Sequence, residues 1–116
     1  MAKVTIYHNP RCSKSRQTLQ LLRDHGIEPT IVEYLKQPPS ASRIKQLLKL
    51  LRMSPRDLMR KKEAEFRSLN LDDSSLGTEA LIKALAEHPV LIERPIVVAG
   101  EKAALGRPPE SVLDIL

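Results

Sequence analysis

The order of extended and helical segments along this chain predicts an α/β fold, with a mixed sheet flanked by helices. Three observations carry that expectation. A β-rich run near the N-terminus is followed by an amphipathic helical stretch and a second β-rich run. The middle of the chain has helical periodicity. Two further β-rich runs, joined by a glycine turn, precede a last short helix. The resulting order, βαβ, helical insert, ββα, requires a crossover between parallel strands and closes with a hairpin, which together make a mixed sheet.

The elements follow in order. Val4-Thr5-Ile6-Tyr7 alternates and reads as a strand, broken by Asn9-Pro10. From Cys12 the pattern is helical, with Leu19, Leu21 and Leu22 forming an apolar stripe and Gly26 at the C-cap. Glu28-Pro29 turns the chain into a second strand, Thr30 to Tyr34. Pro38-Pro39-Ser40 stops and restarts the pattern, and Ile44, Leu47, Leu48 and Leu51 follow at helical spacing. Ser54-Pro55-Arg56-Asp57 has an N-cap, a proline at the first helical position and an acidic third position, so a short helix should run through Leu58 and Met59. Thr78 is placed to cap a helix carrying Leu81, Ile82 and Leu85, ended by Pro89. Val90-Leu91-Ile92 and Ile96-Val97-Val98 both read as strand-like runs around Glu93-Arg94-Pro95. Ala99-Gly100-Glu101-Lys102 reads as a hairpin turn with a return strand to Leu105. After Gly106-Arg107-Pro108-Pro109, a last helix from Glu110 to Leu116 would turn Val112, Leu113 and Leu116 inward. All 116 residues are expected to form one domain, with the helical insertion spanning about 40–88.

Composition excludes several classes of function. With 41% hydrophobic and 28% charged residues the chain has the make-up of an ordinary soluble globular protein. No run approaches the roughly 18 apolar residues of a membrane span, and the N-terminus lacks the apolar stretch of a signal peptide. Lys and Arg outnumber Asp and Glu by 19 to 14, which favours anionic partners. The aromatic residues, Tyr7, Tyr34 and Phe66, are too few for a base-stacking platform, so nucleic acid is not expected.

There is one cysteine, Cys12, which rules out an intramolecular disulfide and a multi-cysteine zinc site. His8, His25 and His88 are not spaced as metal ligands, so no metal site is expected, and no bound cofactor is expected either. A lone reduced thiol and the absent targeting segment point to the cytoplasm. Any redox chemistry at Cys12 must take its second thiol from another molecule.

Cys12 falls at the junction of the first strand and first helix, where unpaired N–H groups favour a thiolate. Arg11, Lys14 and Arg16 surround it in sequence, His8 lies four residues upstream, and Ser15 could donate a hydrogen bond to the sulfur. A phosphatase-type loop needs an arginine six residues after the cysteine, where this chain has Thr18. A dithiol oxidoreductase needs Cys-x-x-Cys, and here the segment is Cys12-Ser13-Lys14-Ser15, its monothiol counterpart. Arg60, Arg94 and Arg107 each offer a planar fork suited to an oxyanion, and gain weight if the fold brings them to Cys12.

Four separated motifs carry a resemblance. The segment from Tyr7 to Leu19, Arg56-Asp57-Leu58-Met59-Arg60-Lys61, the run from His88 to Val98, and Gly106-Arg107-Pro108-Pro109 together resemble the glutaredoxin-dependent arsenate reductase family (ArsC), in the same order over essentially the whole chain. The resemblance implies a thioredoxin-like fold with a helical insertion, Cys12 as nucleophile, Arg60, Arg94 and Arg107 as oxyanion-binding residues, and His8 and Ser15 as supports of the Cys12 thiolate. It further implies Pro95 as a cis-proline, arsenate or a similar small oxyanion as substrate, glutathione as co-substrate, and glutaredoxin as protein partner. Ser13-Lys14 departs from the Gly-Thr that members tend to carry after the cysteine, which changes the rim of the thiol pocket. Two other readings share the fold. One is a redox-responsive regulatory protein, with Arg52, Arg56, Arg60, Lys61 and Lys62 as its binding face, though Ser15 breaks the Cys-x-x-Cys switch such proteins use. The other is a monothiol glutaredoxin-like reductase with another substrate.

Overall fold

The computed structural model describes residues 3–116, which divide into two compact units. One unit holds the chain up to Gln37 together with Arg94–Leu116; the other is Pro38–Glu93, which contains the helical middle of the chain.

The first unit is built on four strands, β1 (Val4–His8), β2 (Thr30–Glu33), β3 (Ile96–Ala99) and β4 (Lys102–Leu105), in the order β2-β1-β3-β4. β1 pairs parallel with β2, from Thr5 opposite Thr30 to His8 opposite Glu33. It pairs antiparallel with β3, which pairs antiparallel with β4. The sheet is therefore mixed. The crossover between β1 and β2 is helix α1 (Ser13–Asp24). Gly26, at φ +76°, ends it in the left-handed conformation that glycine adopts without steric cost.

Period-2 alternation decides what the sheet buries. Ile6 and its register partner Val97 point to one face, where Leu22 of α1 and Val112 complete a cluster whose four members are all fully buried. Leu19, Ala104 and Ile115 pack around it. Val112 and Ile115 belong to the last element, Pro109–Ile115, which is a 3-10 helix. Leu113 is only half-buried and Leu116 is exposed, because the tighter 3-10 turn brings Val112 and Ile115, three residues apart, onto one side.

Within the insertion, α2 (Ala41–Leu51) packs on α4 (Thr78–Glu87), burying Ile44, Leu47 and Leu48 on one helix and Leu81, Ile82 and Leu85 on the other. Ser40 caps α2, its Oγ accepting from the Arg43 N–H at 3.1 Å. Gly77 rather than Thr78 takes the N-cap position of α4. The helix expected through Leu58 and Met59 is a single 3-10 turn, Pro55–Leu58, closed by the Ser54 N–H on Asp57 Oδ2 at 3.4 Å. A short helix α3 (Ala64–Ser68) has no counterpart in the periodicity. Val90-Leu91-Ile92 is not a strand: Pro89–Leu91 forms a 3-10 turn and Ile92 makes one isolated bridge to Met59. Arg56 Nε reaches back to the Leu71 carbonyl at 2.9 Å, and Arg56 Nη2 to that of Asp73.

Leu22 sits at the centre of the first unit's core with no exposed surface. Leu22→Ala should lower the unfolding free energy by about 2–5 kcal/mol, read as a lower urea midpoint with an unchanged slope.

Candidate active site

Cys12 is the N-cap of α1, extended at φ −93° and ψ 123°, and half-buried. Its backbone N–H donates to the Asn9 carbonyl at 3.0 Å, closing the turn that leads from β1 into the helix. No acidic residue stands in the first turn of α1, so the positive end of the helix is left to the sulfur. The thiol takes backbone hydrogen bonds from the Ser15 and Lys14 N–H groups.

The Ser15 side chain does something else. Its Oγ, fully buried, lies 2.6 Å from His8 Nδ1 and accepts the Asn9 N–H at 3.0 Å. The hydroxyl thus ties the end of β1 to the first turn of α1, and it is the backbone N–H of Ser15, not the hydroxyl, that meets the thiol. Burial is the main force holding the His8 imidazole below its ordinary pKa; Glu33 opposes it, and Arg23 and Arg16 add to it. His8 is therefore neutral at pH 7.

The cations nearest in sequence are not the ones acting on Cys12. Arg11, Lys14 and Arg16 are exposed, and Arg16 Nη1 donates to the Pro10 carbonyl at 2.9 Å. Arg94 and Arg107 come from the far end of the chain instead. Arg107 Nη2 lies 4.0 Å from Cys12 Sγ while its Nε donates to the Arg94 carbonyl at 2.8 Å. The Arg94 guanidinium also bonds the thiol. Partial burial pushes the Cys12 pKa up, but the Ser15 N–H, the hydrogen bond and charge of Arg94 and the Lys14 N–H together outweigh it, so the thiol stands below its ordinary value.

The Arg94-Pro95 and Arg107-Pro108 peptide bonds are both cis. Between them Gly106 donates its N–H to the Pro95 carbonyl at 2.9 Å. A Cβ at Gly106 would stand 2.7 Å from Pro95 Cγ and closer still to Thr18 Oγ1, so only glycine fits.

Arg60 lies in the Pro38–Glu93 unit. Its Nε pairs with Glu63 Oε1 at 3.4 Å, and its Nη1 is buried without a hydrogen-bond partner. Of the residues singled out by sequence, then, His8, Cys12, Ser15, Arg94 and Arg107 are gathered in one unit. Tyr34, which sequence reading placed only at the end of a strand, belongs with them. Its buried hydroxyl is pushed up to about 12, first by burial, while Arg94 and Asn9 pull the other way and Cys12 adds to the rise. Among the described residues no cluster of three or more His, Cys, Asp or Glu could hold a metal ion, and no helix is long and apolar enough to cross a membrane.

Comparison with known proteins gives a consistent result. The ArsC family model matches residues 7–115. An uncharacterized protein of Escherichia coli K12, YfgD, is 58% identical over 115 residues, covering 98% of this chain and 97% of that one. An arsenate reductase of Haemophilus influenzae is 51% identical, covering 97% and 98% respectively. The solved structure of an arsenate reductase from Vibrio cholerae superposes with a TM-score of 0.97 at 52% identity, over 99% of this chain and 98% of that one. The thioredoxin-like architecture of arsenate reductases is thus the architecture of this chain.

The depressed thiol has a direct consequence. Because the folded pKa lies below the ordinary thiol value, alkylation of Cys12 by iodoacetamide should hold to lower pH than that of a free cysteine and drop through the lower, folded pKa. Arg94→Ala removes both a hydrogen bond and a charge, so the midpoint of the rate-against-pH curve should move upward.

Proposed function

The chain belongs to the ArsC family, and on that premise we propose that it reduces arsenate to arsenite, using glutathione and glutaredoxin. The observation that supports this most is the convergence of Arg94 and Arg107 on a lone thiol at a helix start. A small multiply charged oxyanion and an anionic sulfur repel each other, and fixed guanidinium groups offset that repulsion as charge moves in the transition state. By the family's pattern Arg60 serves the same purpose.

The chemistry runs in balanced steps. The Cys12 thiolate attacks arsenic(V), an S–As bond forms, and one arsenate oxygen leaves as water. The glutathione thiol then attacks the Cys12 sulfur. The S–As bond breaks with its electron pair remaining on arsenic, which departs as arsenite, and Cys12 is left in a mixed disulfide with glutathione. Glutaredoxin takes over that disulfide by thiol exchange and regenerates Cys12. Each turnover oxidises two thiols to one disulfide and reduces arsenic by two electrons. The chain has one cysteine, so the outside thiol is a requirement of this route rather than an option.

Neutral His8 and Ser15 serve this reading by holding the turn. Because His8 is neutral and its ring is bonded to Ser15, it stabilises the thiolate through the position of the Ser15 N–H. No resident cofactor is needed, and a reaction that consumes glutathione suits the reducing cytoplasm.

Purified protein supplied with arsenate, glutathione, glutaredoxin, glutathione reductase and NADPH should oxidise NADPH in an arsenate-dependent way, and Cys12→Ser should abolish it. A Cys12 that titrates as a thiolate while arsenate stimulates no oxidation would sink arsenate as the substrate.

A further inference from the structure

Tyr34 stands directly after β2, and the parallel register that sets His8 opposite Glu33 carries it beside Asn9. Asn9 in turn holds the Cys12 N–H through its carbonyl. Tyr34 is 1% exposed, yet its hydroxyl has no hydrogen-bond partner. Arg94 Nε is in the same condition, buried and unpaired. The two atoms are complementary, since an Arg Nε–H can only donate and a phenol oxygen accepts. They also lie in one neighbourhood: the Arg94 guanidinium is close enough to act on both the Tyr34 hydroxyl and the Cys12 thiol.

An unpaired buried donor is unfavourable, and two complementary ones in one place are rarely left so without a reason. We infer that Tyr34 is a positioning residue for Arg94: when the guanidinium turns its Nη edge to an oxyanion at Cys12, its Nε–H is received by the Tyr34 phenol oxygen. The inference deepens the arsenate reading and rests on it for the nature of the oxyanion. A guanidinium is a rigid fork, so fixing Nε fixes the direction of both Nη groups. The choice of a phenol also has a physical basis. A carboxylate behind Arg94 would hold it more tightly but would neutralise it. A phenol accepts the hydrogen bond and leaves the whole positive charge for the thiolate and the oxyanion. Burial keeps this phenol protonated far above physiological pH, so it brings no charge of its own.

Tyr34→Phe removes the oxygen and keeps the ring, so an unfolding midpoint near that of wild type is expected and checks the fold. The informative measurement is protection of Cys12 from iodoacetamide by arsenate, and by inorganic phosphate as a probe that needs no reduction. Tyr34→Phe should raise the half-protecting concentration of either anion by about threefold to tenfold, the scale of one lost ordinary hydrogen bond, because Tyr34 acts on the anion only through Arg94. In turnover, KM for arsenate should rise by a similar factor while kcat changes less. In an Arg94→Ala background, Tyr34→Phe should change protection by less than about twofold, because the group it positions is gone. Undiminished effects in that background, or unchanged protection in Tyr34→Phe alone, would overturn the assignment. So would a wild-type Cys12 that neither anion protects. Protection by arsenate without turnover would instead overturn arsenate reduction and leave the role of Tyr34 standing.

Discussion

The buried hydroxyl of Ser15 is the joint on which the site depends. A strand ending at His8 and a helix beginning at Ser13 must be joined by a turn whose backbone groups are partly out of water, and each such group needs a partner. Ser15 Oγ receives the Asn9 N–H and touches the His8 ring, while the Asn9 carbonyl receives the N–H of Cys12. Together these contacts set the distance between the sheet edge and the helix start. The sulfur of Cys12 then has one place to be, over the N–H groups of Lys14 and Ser15. A hydroxyl that accepts from one side and meets an imidazole on the other can do this without bringing a charge near the thiolate, as a carboxylate at position 15 would.

Charge near Cys12 is balanced by the same economy. Partial burial works against the thiolate, and the groups that overcome it are backbone N–H dipoles and an arginine delivered from more than eighty residues away in the chain. The lysine and arginines adjacent in sequence stay in solvent, where screening makes them weak. Arg107 is set by its Nε on the Arg94 carbonyl, which places its Nη2 4.0 Å from the sulfur.

Much of this was legible in the sequence, and the physical reason differs from element to element. β1, α1, β2 and the β3–β4 hairpin announce themselves because their periodicities and stop signals agree: Asn9-Pro10 after β1, Gly26 after α1, Gly100 in the hairpin. Val90-Leu91-Ile92 misled because β propensity describes a half-buried pleated surface, and here only Ile92 finds a bridging partner, Met59. Ala64–Ser68 is too short to show a helical period. At the site, a thiol at a helix start could be read from local order alone. The place of the Ser15 N–H and of Tyr34 beside it could not. In a strand pattern Tyr34 is one more large residue on an inward-facing position, and its interest comes from Asn9 and Arg94, which only the sheet register and the cis turn before β3 bring to it.

The spacing between thiol and arginine follows from a short mechanical path, though 95 residues separate Cys12 from Arg107. Cys12 caps α1 and Thr18 lies within it, so the helix fixes how far Thr18 stands from the sulfur. Thr18 is fully buried, its hydroxyl donating to the Lys14 carbonyl at 2.8 Å, and it lies against Gly106 in the loop after β4. Gly106 closes on it with no room for a Cβ, tied to Pro95 by its N–H. Arg107 follows immediately. Glycine at 106 is thus what lets the loop come near enough to place a guanidinium 4.0 Å from Cys12 Sγ. A residue with a side chain there would force Thr18 and the loop apart, and the arginine with them. The helix that carries the thiol at its start therefore also sets how near Arg107 comes to it, which makes α1, rather than either loop, the element that defines the site.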